Sequence, residues 1–127
     1  MDRKRVAVLT NKTLLMAGVG RMLTEQSGLE VSTISTDDEE LMSKLSAFKP
    51  RVVVLDSEDA LLASRIPLEE LLQRNPSTTV VALNLAQDDI RAFKHKRILR
   101  GSARDLLRIV SRGGSRRRQA PNKEVPP

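Results

Sequence analysis

With 127 residues, of which 39% are hydrophobic, and a net charge of +6, the chain can bury one sizeable core, so we expect a single domain and a tail. The chain has no cysteine and one histidine, which excludes disulfides and cysteine- or histidine-rich metal sites, and we expect neither a metal nor a cofactor. No apolar run is long enough for a membrane span or a signal peptide, so we expect a cytoplasmic protein.

The first half of the chain alternates short apolar runs with amphipathic segments. Strands are predicted at residues 6–9 and 29–35, and helices at residues 12–26 and 36–49, the second helix opening with a capping box. Residues 52–55 are an unbroken run of valine and leucine, which is typical of a strand buried on both faces of a parallel sheet. We therefore predict that this run is the central strand.

The second half continues the alternation. Its predicted elements are a helix from Pro67 to Asn75, a strand at residues 79–83, a short helix at 88–93, a brief fifth strand at 97–100 and a last helix opened by a capping box at 102–105. Five strands alternating with helical segments predict an α/β domain over residues 1–111, with a parallel sheet and helices on both faces. Residues 112–127 are predicted to be a disordered tail rich in arginine, proline and glycine.

Asp56 comes directly after the predicted central strand. Open α/β sheets bind their ligands at the carboxyl ends of their strands. The groups around Asp56 are therefore the first place to look for function.

The order and spacing of several segments resemble one known family. The segments are Val6 to Asn11, Leu14, Gly18, Leu23, Ser27 to Val31, Val52 to Asp56, Val80 to Asn84 and Ile98 to Arg100. Over roughly residues 4 to 111 the chain resembles the receiver domains of bacterial response regulators, in particular those that precede a LuxR-type helix-turn-helix. The resemblance implies a flavodoxin-like (CheY-like) fold with a five-stranded parallel sheet in the order 2-1-3-4-5.

The resemblance also implies a phosphoryl-transfer site, with Asp56 as the phosphoacceptor. Thr10 and Asn11 stand where the family has two acids that hold Mg²⁺ with that aspartate, Asn84 stands at the Ser/Thr position and Arg100 at the Lys position. Phosphoryl transfer depends on Mg²⁺, which prefers anionic oxygen ligands. We therefore expect a degenerate receiver, or pseudo-receiver, that is not an enzyme.

Three interpretations of Asp56 stay open at this point. In the first, the Asp56 carboxylate forms an ion pair with Arg100, since both side chains would emerge at the carboxyl edge of the sheet. Alternatively, Asp56 is a solvated loop acid, or it is a working phosphoacceptor.

The positive charge is concentrated near the end of the chain. The predicted interaction surface comprises Arg91, Lys94, Arg97, Arg104 and Arg108. Segregated charge favours an oriented contact, and the resemblance associates the fourth helix, fifth strand and fifth helix with dimerisation, so we expect a protein partner or a homodimer there. The tail adds Arg112, Arg116, Arg117 and Arg118, which are either the remains of a linker or an anion-binding arm.

The sequence thus predicts a phosphorylation-independent receiver-like domain that acts in signalling or transcriptional regulation through protein–protein interaction. One alternative is a nucleic-acid-associated regulator that uses the tail and the basic stretch at residues 91–108. With only Phe48 and Phe93 aromatic, that regulator would lack the usual stacking platforms for single strands. A second alternative is an active response regulator that is phosphorylated on Asp56.

Overall fold

The computed structural model describes residues 3–59, 62, 70, 73, 77–94 and 97–112, with the side chains of residues 85, 97, 103 and 112 left aside. The elements in chain order are β1 (Lys4–Thr10), α1 (Leu14–Thr24), β2 (Leu29–Ser35), α2 (Leu41–Phe48), β3 (Val52–Asp56), β4 (Thr79–Asn84), β5 (Asp89–Lys94), β6 (Arg97–Gly101) and α3 (Leu106–Arg112). Single 3₁₀ turns lie at Leu85–Gln87 and Ala103–Asp105. None of the described helices is long and apolar enough to cross a membrane.

The described strands form one sheet in the order β2-β1-β3-β4-β5-β6. The first four strands are parallel, with Val8 opposite Val54 and Val54 opposite Val81. This arrangement confirms the predicted α/β class and the parallel order 2-1-3-4. It also confirms that residues 52–55 lie in a central strand, because all four are buried.

Helices cover both faces of the sheet, as predicted. On one face, α1 and α3 pack Met16, Leu23 and Val110 against alternate residues of the central strands. On the other face, α2 packs Leu41 and Leu45 against the intervening residues of the same strands. The valine-rich strands are apolar at every position because each side chain meets one of these two layers.

The far end of the sheet differs from the prediction. Residues 89–94 form a strand rather than the predicted helix, and β5 pairs with β4 in the antiparallel direction. Ile90 and Ala92 are buried while Arg91 between them is exposed, and this period-two pattern suits a strand at the edge of β4. Asp88, with φ 52°, makes the turn that reverses the chain into β5.

The strand predicted at residues 97–100 exists, but it is the sixth strand and not the fifth. It pairs antiparallel with β5, with Lys94 opposite Arg97 and Ile90 opposite Gly101. The predicted five-stranded, wholly parallel sheet is therefore wrong at this end, because the 89–94 segment satisfies its backbone hydrogen bonds with a neighbouring strand instead of within a helix.

The two predicted capping boxes have different outcomes. The helix predicted from residue 36 begins only at Leu41, because the buried Thr36 donates its backbone N–H to Thr10 O and so remains attached to the sheet. At the second box, the Asp105 carboxylate accepts the Ser102 N–H at 2.9 Å, which is one of the two hydrogen bonds of a capping box. The Asp105 N–H donates to the Ser102 carbonyl oxygen and not to the hydroxyl. Most of the helix predicted from Pro67, all but residues 70 and 73, and the tail beyond residue 112 fall outside the described residues.

Candidate functional site

Three neighbouring parallel strands end at the same edge of the sheet. Thr10 is the last residue of β1, Asp56 of β3 and Asn84 of β4. The register places Asp56 opposite Leu83, one residue before Asn84. The edge predicted from the position of Asp56 therefore exists and carries three of the polar residues singled out in the sequence.

Asn11 binds Asp56 directly. Asn11 Nδ2 donates a hydrogen bond of 3.0 Å to Asp56 Oδ2, and both residues are partly buried. The orientation of the amide is set by Thr13, which donates to Asn11 Oδ1 from its backbone N–H at 3.2 Å and from its hydroxyl at 2.8 Å. Since the amide oxygen is engaged by these two donors, the amide nitrogen is the atom that faces the carboxylate.

The loop after β3 occupies the second oxygen of Asp56. Glu58 donates its backbone N–H to Asp56 Oδ1 at 2.8 Å, and its carboxylate Oε2 accepts a hydrogen bond of 3.2 Å from Asn84 Nδ2. Asn84 therefore reaches Asp56 through Glu58, which the sequence analysis missed. The signal available in the sequence was an acid two residues beyond a strand end, where side-chain and backbone hydrogen bonds commonly close a turn.

Thr10 does not contact Asp56 through its hydroxyl. That hydroxyl accepts the backbone N–H of Lys12 at 3.0 Å, in a turn where Lys12 has φ 68°. Lys12 Nζ lies 3.4 Å from Asp37 Oδ2, and Ser35 donates its hydroxyl to Asp37 Oδ1. The Ser35 hydrogen bond, followed by the charge of Lys12, lowers the pKa of Asp37. This exposed cluster at the β1–β2 edge was not predicted.

The residues around Asp56 do not fit the magnesium site that the family resemblance implies. Mg²⁺ takes oxygen ligands, whereas Asn11 turns its nitrogen toward Asp56 and its oxygen toward Thr13. The hydroxyl of Thr10 is directed to the backbone of Lys12. Among the residues that the structure describes, no group of three or more histidines, cysteines or acids is placed to hold a metal ion.

Arg100 lies far from Asp56. The register runs from Asp56 to Leu83 on β4, Ile90 on β5 and Gly101 on β6, which is three strand spacings of about 4.8 Å each. Arg100 is exposed on the outermost of these strands. The structure therefore does not form the expected Asp56–Arg100 ion pair, because the unpredicted strand β5 lies between β4 and the segment that carries Arg100.

The cations of the predicted interaction surface lie on the β5–β6 hairpin, on the turn that follows it and on α3. Arg91 Nε is 3.1 Å from Asp89 Oδ2, and Arg108 Nη2 is 2.9 Å from Asp105 Oδ1. The other members are the half-buried Lys94, the exposed Arg104 and Arg97, whose side chain is not described. The surface thus involves a hairpin where a fourth helix was expected, and the tail cations lie outside the described residues.

Asp105 holds the beginning of α3 to the end of β6. The Ser102 backbone N–H is the largest cause of its lowered pKa, and the guanidinium of Arg108 adds to the effect. The carboxylate also packs on Gly101, where an added Cβ would lie 2.8 Å from Asp105 Oδ2. A glycine at position 101 is therefore needed for this close approach.

Comparison with known proteins identifies relatives of the chain. It is 31% identical over 85 residues to the response regulator GacA of Pseudomonas viridiflava and, to the same extent, to GacA of Pseudomonas protegens. These alignments cover 67% of this chain, and the chain spans only 40% of the length of either relative. No protein-family model matches the chain, and no solved structure matches it significantly.

A relative of a different kind aligns over a similar length. The chain is 24% identical over 91 residues to protein-glutamate methylesterase/protein-glutamine glutaminase 2 of Dechloromonas aromatica, an alignment that covers 72% of this chain and 25% of the relative. The parallel order β2-β1-β3-β4 of the described sheet is the order that the family resemblance implies for the first four strands. The chain is therefore a distant homologue of the receiver domains of response regulators.

Proposed function

We propose that this chain is a receiver-like signalling domain that acts by binding other proteins, without phosphorylation of Asp56 and without catalysis. The observation that supports this proposal most is the 3.0 Å hydrogen bond from Asn11 Nδ2 to Asp56 Oδ2. An amide nitrogen that donates to the carboxylate stands where a phosphorylatable site needs an acid to hold Mg²⁺. The signalling role itself rests on the homology to response regulators.

Both oxygens of Asp56 are engaged by the protein. Asn11 donates to Oδ2 and the Glu58 backbone N–H donates to Oδ1 at 2.8 Å. A phosphoryl transfer to either oxygen would have to replace a hydrogen bond to a charged group, each of which is worth about 1.5–3 kcal/mol. No metal charge would compensate for this loss, since the neighbouring donors do not fit Mg²⁺.

The hairpin and α3 provide the surface for binding. They carry the exposed cations Arg91 and Arg108, and the turn between them carries Arg104. The strand β6 exposes two large apolar side chains, Ile98 and Leu99, each 57% exposed. Apolar contacts surrounded by charged residues are typical of surfaces that bind proteins. This combination supports a protein partner for the surface.

The test is to incubate the protein with acetyl phosphate and Mg²⁺ and to measure its intact mass. We expect no phosphoryl adduct, and we expect the same amide NMR spectrum with and without the phosphodonor. Asp56→Asn is the matched control, because it removes the phosphoacceptor and keeps the shape of the side chain. A stoichiometric adduct that is absent from Asp56→Asn would overturn the proposal in favour of an active response regulator.

A further inference from the structure

The strand β6 is one of the two edges of the described sheet. It pairs with β5 on one side, so in the described part of the chain its second row of backbone N–H and C=O groups has no neighbouring strand. Such a row is a template for pairing with another chain. The opposite edge, β2, buries its large apolar residues Leu29 and Ile34, whereas β6 leaves Ile98 and Leu99 exposed.

The exposed side chains of β6 point to both faces of the sheet. Ile98 stands opposite Phe93, whose ring packs against the α2 layer, and Leu99 stands opposite Ala92 in the layer of α1 and α3. Arg100 returns to the face of Ile98, because side chains alternate along a strand. An added strand would therefore find an apolar side chain and a guanidinium side by side on one face, and an apolar side chain on the other.

The charge on this edge is not balanced within the described residues. Arg100 stands directly opposite Arg91, an arrangement of like charges that is unfavourable across a strand pair. Arg91 has an acid beside it, since its Nε lies 3.1 Å from Asp89 Oδ2. No ion pair to Arg100 forms between described residues. An acid on an added strand would meet this guanidinium.

A second copy of the chain is a poor occupant of the edge. Two β6 strands that paired antiparallel about their central residue, Leu99, would set Arg100 of each copy diagonal to Arg100 of the other, and pairing about Arg100 would set the two guanidinium groups directly opposite each other. Like charges directly opposite each other destabilise a strand pair, and diagonal neighbours are still within reach of long side chains. The arginines therefore disfavour self-pairing while they favour an acidic partner, which is how an edge can select one partner against another.

We infer that β6 binds an extended segment of a partner protein as an added strand, in which an acidic residue pairs with Arg100 and an apolar residue packs on Ile98. Backbone hydrogen bonds to the free edge would supply affinity, and the two side chains would supply specificity. This inference rests on the proposed protein-binding function and names the chemistry of the partner.

The probe is a short synthetic peptide that repeats Val-Val-Glu-Val, so that valine and glutamate two residues apart share one face of the strand and valine fills the other face, and it is compared with the same peptide in which lysine replaces every glutamate. Amide NMR shifts of the full chain should localise the glutamate peptide to residues 97–101 and leave residues 29–35 of β2 unchanged. We expect the lysine peptide to bind up to about fivefold more weakly, since one cross-strand charge pair contributes up to about 1 kcal/mol.

Two charge reversals separate strand pairing from general electrostatic attraction. Arg100→Glu should reverse the preference, so that the lysine peptide binds more tightly than the glutamate peptide. Arg21→Glu is the matched control, because Arg21 is exposed on α1 and lies outside both the edge and the proposed binding surface. It should leave the preference for glutamate in place.

Three results would overturn the inference: no peptide-dependent shifts at residues 97–101, equal effects of Arg100→Glu and Arg21→Glu, or self-association of the chain that Arg100→Glu abolishes. Each of these leaves the proposed function standing, since binding elsewhere or to a second copy is still protein binding. Failure of the proposed function is read separately, from a phosphoryl adduct on Asp56.

Discussion

Replacing Asn11 with aspartate tests whether the amide at this position stabilises the edge around Asp56. In the structure, Asn11 Nδ2 donates to Asp56 Oδ2 at 3.0 Å, and Thr13 holds Asn11 Oδ1 in place. The Asn11→Asp variant is nearly the same size, so Thr13 would still bind one oxygen and the second would face Asp56. A hydrogen bond would thus become a contact between two carboxylates.

The expected cost follows from that geometry. The variant loses a hydrogen bond to a charged group, worth about 1.5–3 kcal/mol, and gains a repulsion of about 4 kcal/mol at 4 Å with an effective dielectric constant near 20. Protonation of one carboxyl group limits the total cost at pH 7, because raising a carboxyl pKa from about 3.9 to about 7 costs about 4 kcal/mol. We therefore expect Asn11→Asp to lower the free energy of unfolding by about 2–4 kcal/mol at pH 7.

Urea unfolding followed by circular dichroism measures this change, since the chain has no tryptophan. The pair raises the folded-state pKa of one carboxyl, so the loss of stability should be full above that pKa and should disappear as the pH falls below about 3.9. Mg²⁺ at about 10 mM should restore part of the lost stability, because the variant has a second acid beside Asp56 that the natural chain lacks.

Asn84→Asp is the matched control for this experiment. Asn84 Nδ2 also donates to a carboxylate, at 3.2 Å from Glu58 Oε2, but Glu58 is exposed. Solvent screens an exposed pair, so this variant should cost no more than about 1 kcal/mol. If Asn11→Asp were as stable as the natural chain at pH 7 without Mg²⁺, the amide would not be holding Asp56 and the reasoning would be refuted.

Three further predictions concern other parts of the chain. Gly101→Ala should destabilise the chain by about 1–3 kcal/mol in urea unfolding, because the added Cβ would lie 2.8 Å from Asp105 Oδ2 and 3.2 Å from Ile109 Cδ1. Gly18→Ala in helix α1 should instead stabilise the chain by about 0.5–1 kcal/mol, because a Cβ there would enter open space. Because the pKa of Asp105 is lowered from 3.8, its stabilising effect is present above pH 3.8 and is lost as the pH falls through the folded-state pKa. Asp105→Asn should therefore be less stable than the natural chain at neutral pH and should approach the stability of the natural chain in acid. Deleting residues 113–127 should leave the fold unchanged, and it should leave any weak binding to duplex DNA unchanged when binding is measured at two salt concentrations. Salt-sensitive DNA binding that the deletion removes would favour the nucleic-acid alternative.

Much of the fold followed from local patterns. The valine-rich run at residues 52–55 predicted a buried central strand, because strands covered on both faces need no polar positions. The position of Asp56 at the end of that run predicted its place at the carboxyl edge of the sheet, beside the ends of β1 and β4. These features depend on residues close together in the sequence, and the sequence determined them by itself.

Tertiary structure decided whether residues 89–94 are helix or strand. Ile90 and Ala92 alternate with Arg91, which is the period-two pattern of a strand. The short length of the segment and the acids at its start also suit a short helix. The free edge of β4 resolves this ambiguity, because it satisfies the backbone hydrogen bonds of the segment and buries Ile90 completely.

Two consequences for the site followed from distant parts of the chain. The inserted strand moved Arg100 three strands from Asp56 and left β6 as an edge, while the return of the chain into β3 brought Asn11 within 3.0 Å of Asp56. Neither relation is visible in local periodicity, because both depend on which strands become neighbours. The neighbours are decided by the backbone hydrogen bonds between strands and by the packing of both faces of the sheet against the helices.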